Sequence, residues 1–220
     1  DLLIHAAWNG LPNYTSELHI KQIPWHTNFI NSLIGDGLSH FLGIGTCLEY
    51  GMNYGCLNET MKPLSPIAPY GAGKNSVREI VSRTCQKNGV DFHWLRLFYV
   101  VGDGLHRNSL ISQLNRALSG GDKVFRMSKG DQVRDFIDVE NAARLIIRIA
   151  MQKNIFGIIN CCSGVPISVL DFVKDIITRQ RMTIKLELEA YPIPTYEPTK
   201  YWGDITKLEL ALQNKSSHQP

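Results

Sequence analysis

The chain of 220 residues contains no C-x-x-C pair, no long run of like charge and no apolar stretch approaching the roughly 18 residues of a membrane span. Each absence removes a class of function. Without paired spacing among the five cysteines, neither a disulfide framework nor a metal site is expected. Reduced thiols in a cytoplasmic protein are the simpler reading. Lys and Arg number 23 against 20 Asp and Glu, a formal charge of +3 that is scattered along the chain. So small an excess leaves no footprint for nucleic acid or an anionic membrane. The amino end also lacks the basic region and small-residue cleavage site of a secretory leader. What remains is an ordinary globular composition, 44% hydrophobic and 20% charged, long enough for one core and a smaller lobe.

Apolar runs and helical patterns alternate along this chain. Strands are predicted over 1–7, 41–46, 92–101, 123–127, 156–160 and, with one wet face, 184–190. Helical patterns cover 16–37, 70–87, 108–118, 139–151 and 168–179. Pro24 should split or kink the first of these, and Pro69 should open the second. Ser168 and Asp171 form a capping box for the last. The polar tail after Leu212 is expected to be disordered. Continuous apolar strands joined by helices imply a parallel sheet covered on both faces, with ligands at the carboxyl ends of the strands. The ends near Ala7, Thr46 and Gly102 should therefore converge. The chain starts directly in an apolar strand, whereas amino ends are usually loose and polar, so the sequence reads as a fragment whose beginning is missing.

The chemistry-bearing motif is Tyr70-Gly71-Ala72-Gly73-Lys74. On a helix, positions i and i+4 share a face, so the phenol and the ammonium can point into one cleft. A nearby ammonium favours the phenolate, and a tyrosine tuned in this way can exchange a proton with a carbinol or ketone oxygen. Gly71 and Gly73 are poor helix formers, and a flat cofactor lying against that helix face would explain them. The pentapeptide alone is also what a solvated helix shows by chance. Thr46 ends an apolar strand, and a hydroxyl there could serve the same substrate oxygen as Tyr70.

The segments Leu3–Ala7, Thr46–Gly51, Tyr70–Lys74, Phe92–Gly102, Arg134–Val139 and Ile159–Gly164 resemble, in this order and spacing, the extended short-chain dehydrogenase/reductase family of nucleotide-sugar epimerases and dehydratases. The resemblance runs from Asp1 to about Leu212. It implies an α/β fold, a Rossmann-like doubly wound parallel sheet with its first βα units missing and a smaller C-terminal α/β substrate lobe. Residues 1–102 would be the remaining dinucleotide-binding domain and 103–220 mainly the substrate lobe, with 134–160 returning to the first domain. The implied cofactor is NAD or NADP, held by Ala6, Ala7, Tyr70 and Lys74. The implied catalysts are Thr46, Tyr70 as acid/base and Lys74. Thr46, Tyr99 and Arg134 would meet a nucleotide-sugar substrate, and a homodimer is compatible with the family. Arg134 has two roles open to it, the nucleotide phosphates or a surface pair with Asp135 or Asp138. Arg96 and His5 read as structural.

Departures narrow the activity. The glycine-rich phosphate loop and its ribose selector are not in the sequence, which leaves NAD against NADP open. Family 4,6-dehydratases carry Asp-Glu after the catalytic threonine, where this chain has Cys47 and Leu48. Epimerase-reductases place a cysteine at the position of Leu48. The expected activity is therefore reduction of a 4-keto-6-deoxy sugar nucleotide. The alternatives are a nucleotide-sugar 4-epimerase and a non-catalytic dinucleotide-binding protein.

Overall fold

The computed structural model describes residues 1–213; the tail predicted to be disordered lies almost wholly outside the described residues. The chain runs β1 (Leu2–His5), α1 (Leu18–Lys21), α2 (Ile23–Gly35), β2 (His40–Thr46), β3 (Gly55–Leu57), α3 (Pro69–Asn88), β4 (Asp91–Leu97) and β5 (Tyr99–Val101). It continues α4 (Leu110–Gly120), β6 (Val124–Arg126), β7 (Val133–Asp138), α5 (Val139–Met151), β8 (Gly157–Cys161) and β9 (Pro166–Ser168). The last elements are α6 (Val169–Arg179), β10 (Lys185–Glu187), β11 (Tyr201–Gly203) and α7 (Thr206–Leu212).

Four strands in the order β1-β2-β4-β8 make an all-parallel sheet. Successive strand residues point to opposite faces, and both faces are apolar. Phe41 and Trp94 pack on one side against Ile30 and Ile34 of α2 and Val77 and Val81 of α3. Leu42, Leu95 and Ile159 pack on the other against Ala142 and Ile149 of α5 and Leu208 of α7. This is the doubly wound α/β arrangement that alternating strands and helices call for. Among the described residues β1 pairs only with β2 and forms one edge of this sheet. A separate cluster joins Leu114 and Leu118 of α4, Val173 of α6, Phe125 of β6 and Ile184.

Local signals decide the helix ends. Pro24 falls in the first turn of α2, where its missing N–H costs nothing, and the helical run splits into α1 and α2. Gly89 closes α3 in the left-handed region (φ +67°). The Ser168 hydroxyl accepts the Asp171 N–H at 3.0 Å and starts α6. One strand boundary departs from expectation. The run over 92–101 divides at Phe98, so the third strand of the main sheet ends at Leu97 and not near Gly102. Tyr99–Val101 leaves that sheet to pair with β7, and this carries the Tyr99 phenol into a buried polar cluster. The predicted strand over 184–190 is also shorter, Lys185–Glu187, pairing with β6 outside the main sheet. No described helix is long and apolar enough to cross a membrane.

Candidate active site

Thr46 stands at the carboxyl end of β2, in register with Leu97 of β4. There the chain turns into a short 3-10 helix, Cys47–Tyr50. The Thr46 hydroxyl accepts the Leu48 N–H at 3.3 Å, and Glu49 Oε1 accepts the Thr46 N–H at 2.9 Å. This reciprocal capping box holds the threonine at the strand end.

Helix α3 supplies the other two residues. Pro69 occupies its first turn, and the Tyr70 N–H is taken by the Tyr14 carbonyl at 3.1 Å. Tyr70 and Lys74 follow one turn apart on a buried face. The Thr46 hydroxyl lies close enough to the Tyr70 phenol to favour its ionised form, so the two side chains face one another. Lys74 Nζ donates to the Ile44 carbonyl at 2.7 Å and lies 4.2 Å from the centre of the Trp8 ring. The structure thus brings Thr46, Tyr70 and Lys74 together at one strand end. Gly71 and Gly73 have a different purpose from the one expected. A Cβ at Gly71 would collide with the Leu48 carbonyl, and one at Gly73 with the His19 carbonyl. These glycines let α3 press against the chain's own backbone.

Lys74 is not among the main influences on the Tyr70 phenol. Burial pushes the Tyr70 phenol up, the negative charge of Glu49 and the neighbouring Tyr14 and Cys47 add to this, and the Thr46 hydroxyl works against it. Burial lowers Lys74 to about 8, with Glu49 opposing the fall. The Cys47 thiol, buried beside Thr46, is pushed up to about 12, chiefly by desolvation. It is therefore an inert thiol, and neither Cys47 nor Leu48 offers an acid or base at the reacting end.

Arg134 is buried, and its partners are neither Asp135 nor Asp138. Nη2 pairs with Glu197 at 2.9 Å, Nε donates to the Tyr99 hydroxyl at 3.2 Å, and Nη1 reaches the Val133 and Thr199 carbonyls. Asp135 instead accepts the Ser163 and Gly164 N–H groups, and Asp138 caps α5. Tyr99 shares the Glu197 carboxylate and lies 2.7 Å from the Tyr201 hydroxyl. Arg96 and His5 are buried as expected, Arg96 against Glu49 at 2.9 Å and His5 beside His26 at 3.2 Å. Ala6 and Ala7 are exposed just past the end of β1. Sequence reasoning missed Glu49, Glu197 and the aromatic cover of Tyr70, formed by Trp8, Tyr14 and His19. Only Glu49 left a signal, as the fourth residue of a Thr-x-x-Glu box.

The profile of the NAD dependent epimerase/dehydratase family matches residues 6–162. The chain belongs to that family. Membership bears out the resemblance to the extended short-chain dehydrogenase/reductases, and with it the expectation of an NAD-dependent enzyme. The chain is 28% identical over 207 residues to a dTDP-6-deoxy-L-talose 4-dehydrogenase (NAD(+)) of Aggregatibacter actinomycetemcomitans, covering 92% of this chain and 75% of the relative. It is 29% identical over 194 residues to a GDP-6-deoxy-D-talose 4-dehydrogenase of the same organism, covering 84% and 64%. The solved UDP-N-acetylglucosamine 4-epimerase of Methanobrevibacter ruminantium M1 shares the fold with a TM-score of 0.86 and 24% identity, over 98% of this chain and 71% of that one.

The residues present fit the nicotinamide end of the cofactor this NAD-dependent family implies. Lys74 is a buried ammonium with one carbonyl acceptor and, among the described residues, no carboxylate in ion-pair contact. An ammonium carries three donors, so two remain for hydroxyl groups of a ligand. The small exposed residues Ala6 and Ala7 leave room for a group beside β1.

Proposed function

We propose that the protein is a nucleotide-sugar oxidoreductase that reduces a 4-keto-6-deoxy sugar nucleotide with NADH or NADPH. The observation that carries this reading is the grouping at one strand end of Thr46, the buried Tyr70 phenol and the Lys74 ammonium, which donates to the Ile44 carbonyl at 2.7 Å; burial also keeps the phenol in its neutral form. A phenol held in its neutral form is a proton donor, which suits reduction of a ketone. Both similar dehydrogenases bear names that place their action at position 4 of a 6-deoxytalose nucleotide, the same redox couple run in reverse.

In this reading the Thr46 and Tyr70 hydroxyls converge on the C4 carbonyl oxygen of the sugar. Thr46 donates a hydrogen bond that orients the carbonyl, and Tyr70 gives its proton to the oxygen as negative charge develops there. Ala6, Ala7 and Lys74 would hold the cofactor, which supplies the hydride when bound. Lys74 also keeps a positive charge close to the reacting oxygen. Tyr99 and Arg134 would face the substrate, with Arg134 exchanging Glu197 for a phosphate oxygen; the carboxylate already seated on it supports an anion site. The cluster built from α4, α6 and β6 would be the substrate lobe.

The test is an assay of the purified protein with 4-keto-6-deoxy sugar nucleotides, following oxidation of NADH and NADPH. Stoichiometric oxidation with reduction at C4 is expected. Interconversion of C4 epimers with no net cofactor oxidation would replace this reading with a 4-epimerase. Cofactor binding without turnover of any nucleotide sugar would point to a non-catalytic binding protein.

A further inference from the structure

We propose that Glu49 is a positioning residue of this site, tying the Thr46 turn to the Tyr70–Lys74–Arg78 face of α3 and supplying that face with its buried negative charge. The inference rests on the reading of Thr46, Tyr70 and Lys74 as the reacting set. Glu49 is 0% exposed. Its Oε1 accepts the Thr46 N–H and the Trp94 indole N–H, both at 2.9 Å. Its Oε2 accepts Arg96 Nε at 2.9 Å and lies 3.9 Å from Arg78 Nε. One carboxylate thus joins the strand end, the neighbouring strand β4 and helix α3.

A turn of four residues does not need a buried charge. A carboxylate taken out of water costs several kcal/mol, and well-packed apolar groups often replace a buried ion pair without loss of stability. The Thr46 N–H needs only a neutral acceptor. The placement of the charge gives its use. Tyr70, Lys74 and Arg78 are spaced by four residues and share one face of α3. Tyr70 meets Thr46, Lys74 meets the Ile44 carbonyl and Arg78 meets Glu49. The groups around Glu49 are Arg96 of β4, Arg78, Lys74 and Tyr70 of α3, and Tyr50 of its own turn. Those around Lys74 are Glu49, His5 of β1 and His26 of α2, and burial keeps both histidines neutral. Glu49 is the one negative group acting on Lys74 among the described residues, and it favours the ammonium. It also favours the neutral phenol of Tyr70.

Glu49→Gln keeps the shape and an acceptor for Thr46 but removes the charge, leaving the buried Arg96 guanidinium without its carboxylate while Arg78 keeps Glu79 at 3.2 Å. Three effects are expected. The turnover number for ketone reduction falls by about 10- to 100-fold, the cost typical of a slightly misplaced reacting group, while KM for the nucleotide sugar stays within about twofold. The alkaline limb of the kcat profile moves to lower pH, because Lys74 and Tyr70 both lose protons more easily. The Lys74 titration, followed by NMR of the labelled protein without ligands, moves down in the same way. Arg78→Gln removes the cation 3.9 Å from Glu49 and one turn from Lys74 on the same face of α3, so more of the Glu49 charge acts on Lys74 and the limb and the Lys74 titration should move up. This second variant keeps the test open if Glu49→Gln does not fold. A purely structural Glu49 would lower the melting temperature and leave both titrations in place; unmoved titrations in folded variants would overturn the proposal. Tyr70→Phe is the control. If it keeps wild-type turnover, the assignment of the reacting set fails; if it is inactive while Glu49→Gln is unchanged, only the role of Glu49 fails.

Discussion

The Lys74 ammonium donates to the carbonyl of Ile44 at 2.7 Å, reaching across from α3 to the strand whose end carries Thr46. It does so from a position with almost no exposure to solvent. Burial holds Lys74 at about 8, against an ordinary lysine value of 10.5. Folded Lys74 therefore binds its proton less tightly than the unfolded chain does. Its charge opposes folding below about pH 8, and the penalty fades as pH rises from about 8 to 10.5. Lys74→Met should abolish most activity yet raise stability at neutral pH. The upper bound is on the order of 3 kcal/mol, less the hydrogen bond to Ile44. Urea unfolding at neutral and alkaline pH checks this: the advantage of the variant must shrink at the higher pH.

Tyr70→Phe removes one oxygen and little volume, so the fold should persist. The proton donor beside the substrate oxygen is lost, and kcat should fall by about 10²–10⁴-fold while cofactor binding survives. Thr46→Val should lower kcat less, because the threonine hydroxyl orients the oxygen without transferring a net proton. It should also cost about 1 kcal/mol in stability, since the same hydroxyl caps the Cys47–Tyr50 turn. Steady-state kinetics with melting curves separates the two variants. Near wild-type turnover in folded Tyr70→Phe would sink the mechanism.

At Gly71 the helix α3 lies directly on the Leu48 carbonyl. Gly71→Ala would gain helix propensity, about 1 kcal/mol in an unobstructed helix. Here the added methyl must displace backbone, and overpacking typically costs about 1–3 kcal/mol. A net loss of stability is expected, with a fall in kcat because Tyr70 and Thr46 move apart. A variant as stable and active as the parent would show that the turn yields without cost.

Arg134→Ala should act on stability as well as on substrate. It leaves the buried Glu197 carboxylate without its guanidinium, and breaking a buried pair costs about 3–5 kcal/mol. The paired variant Arg134→Met with Glu197→Leu should recover much of that loss while KM for the nucleotide sugar remains high. Recovery of both stability and KM would assign Arg134 a structural role alone. Calorimetry and steady-state kinetics on the two variants distinguish these outcomes.

Much of the scaffold was legible without coordinates, because its signals are local. The Ser168–Asp171 box starts α6, Pro69 and Gly89 bound α3, and Pro24 divides the helical run before β2. The i, i+4 spacing of Tyr70 and Lys74 and the strand-ending Thr46 likewise depend on neighbours in sequence. The break at Phe98 was not legible, since the 92–101 run keeps one apolar character across two sheets.

The ordered motifs in the amino-acid sequence were enough to name the family and the α/β class and to single out Thr46, Tyr70 and Lys74 as the proposed reacting set. Tertiary structure alone decided what those residues touch. Lys74 meets a carbonyl 30 residues away, Glu49 meets Arg96 across 47, and Arg134 finds Glu197 in a segment that carries no helix or strand. Such pairs depend on strand register and on how closely α3 docks, and no local propensity encodes either. The charge of a buried group depends on them in turn: desolvation and neighbouring charge come from the whole packed surroundings, and for Tyr70 burial outweighs the downward pull that its spacing from Lys74 suggested.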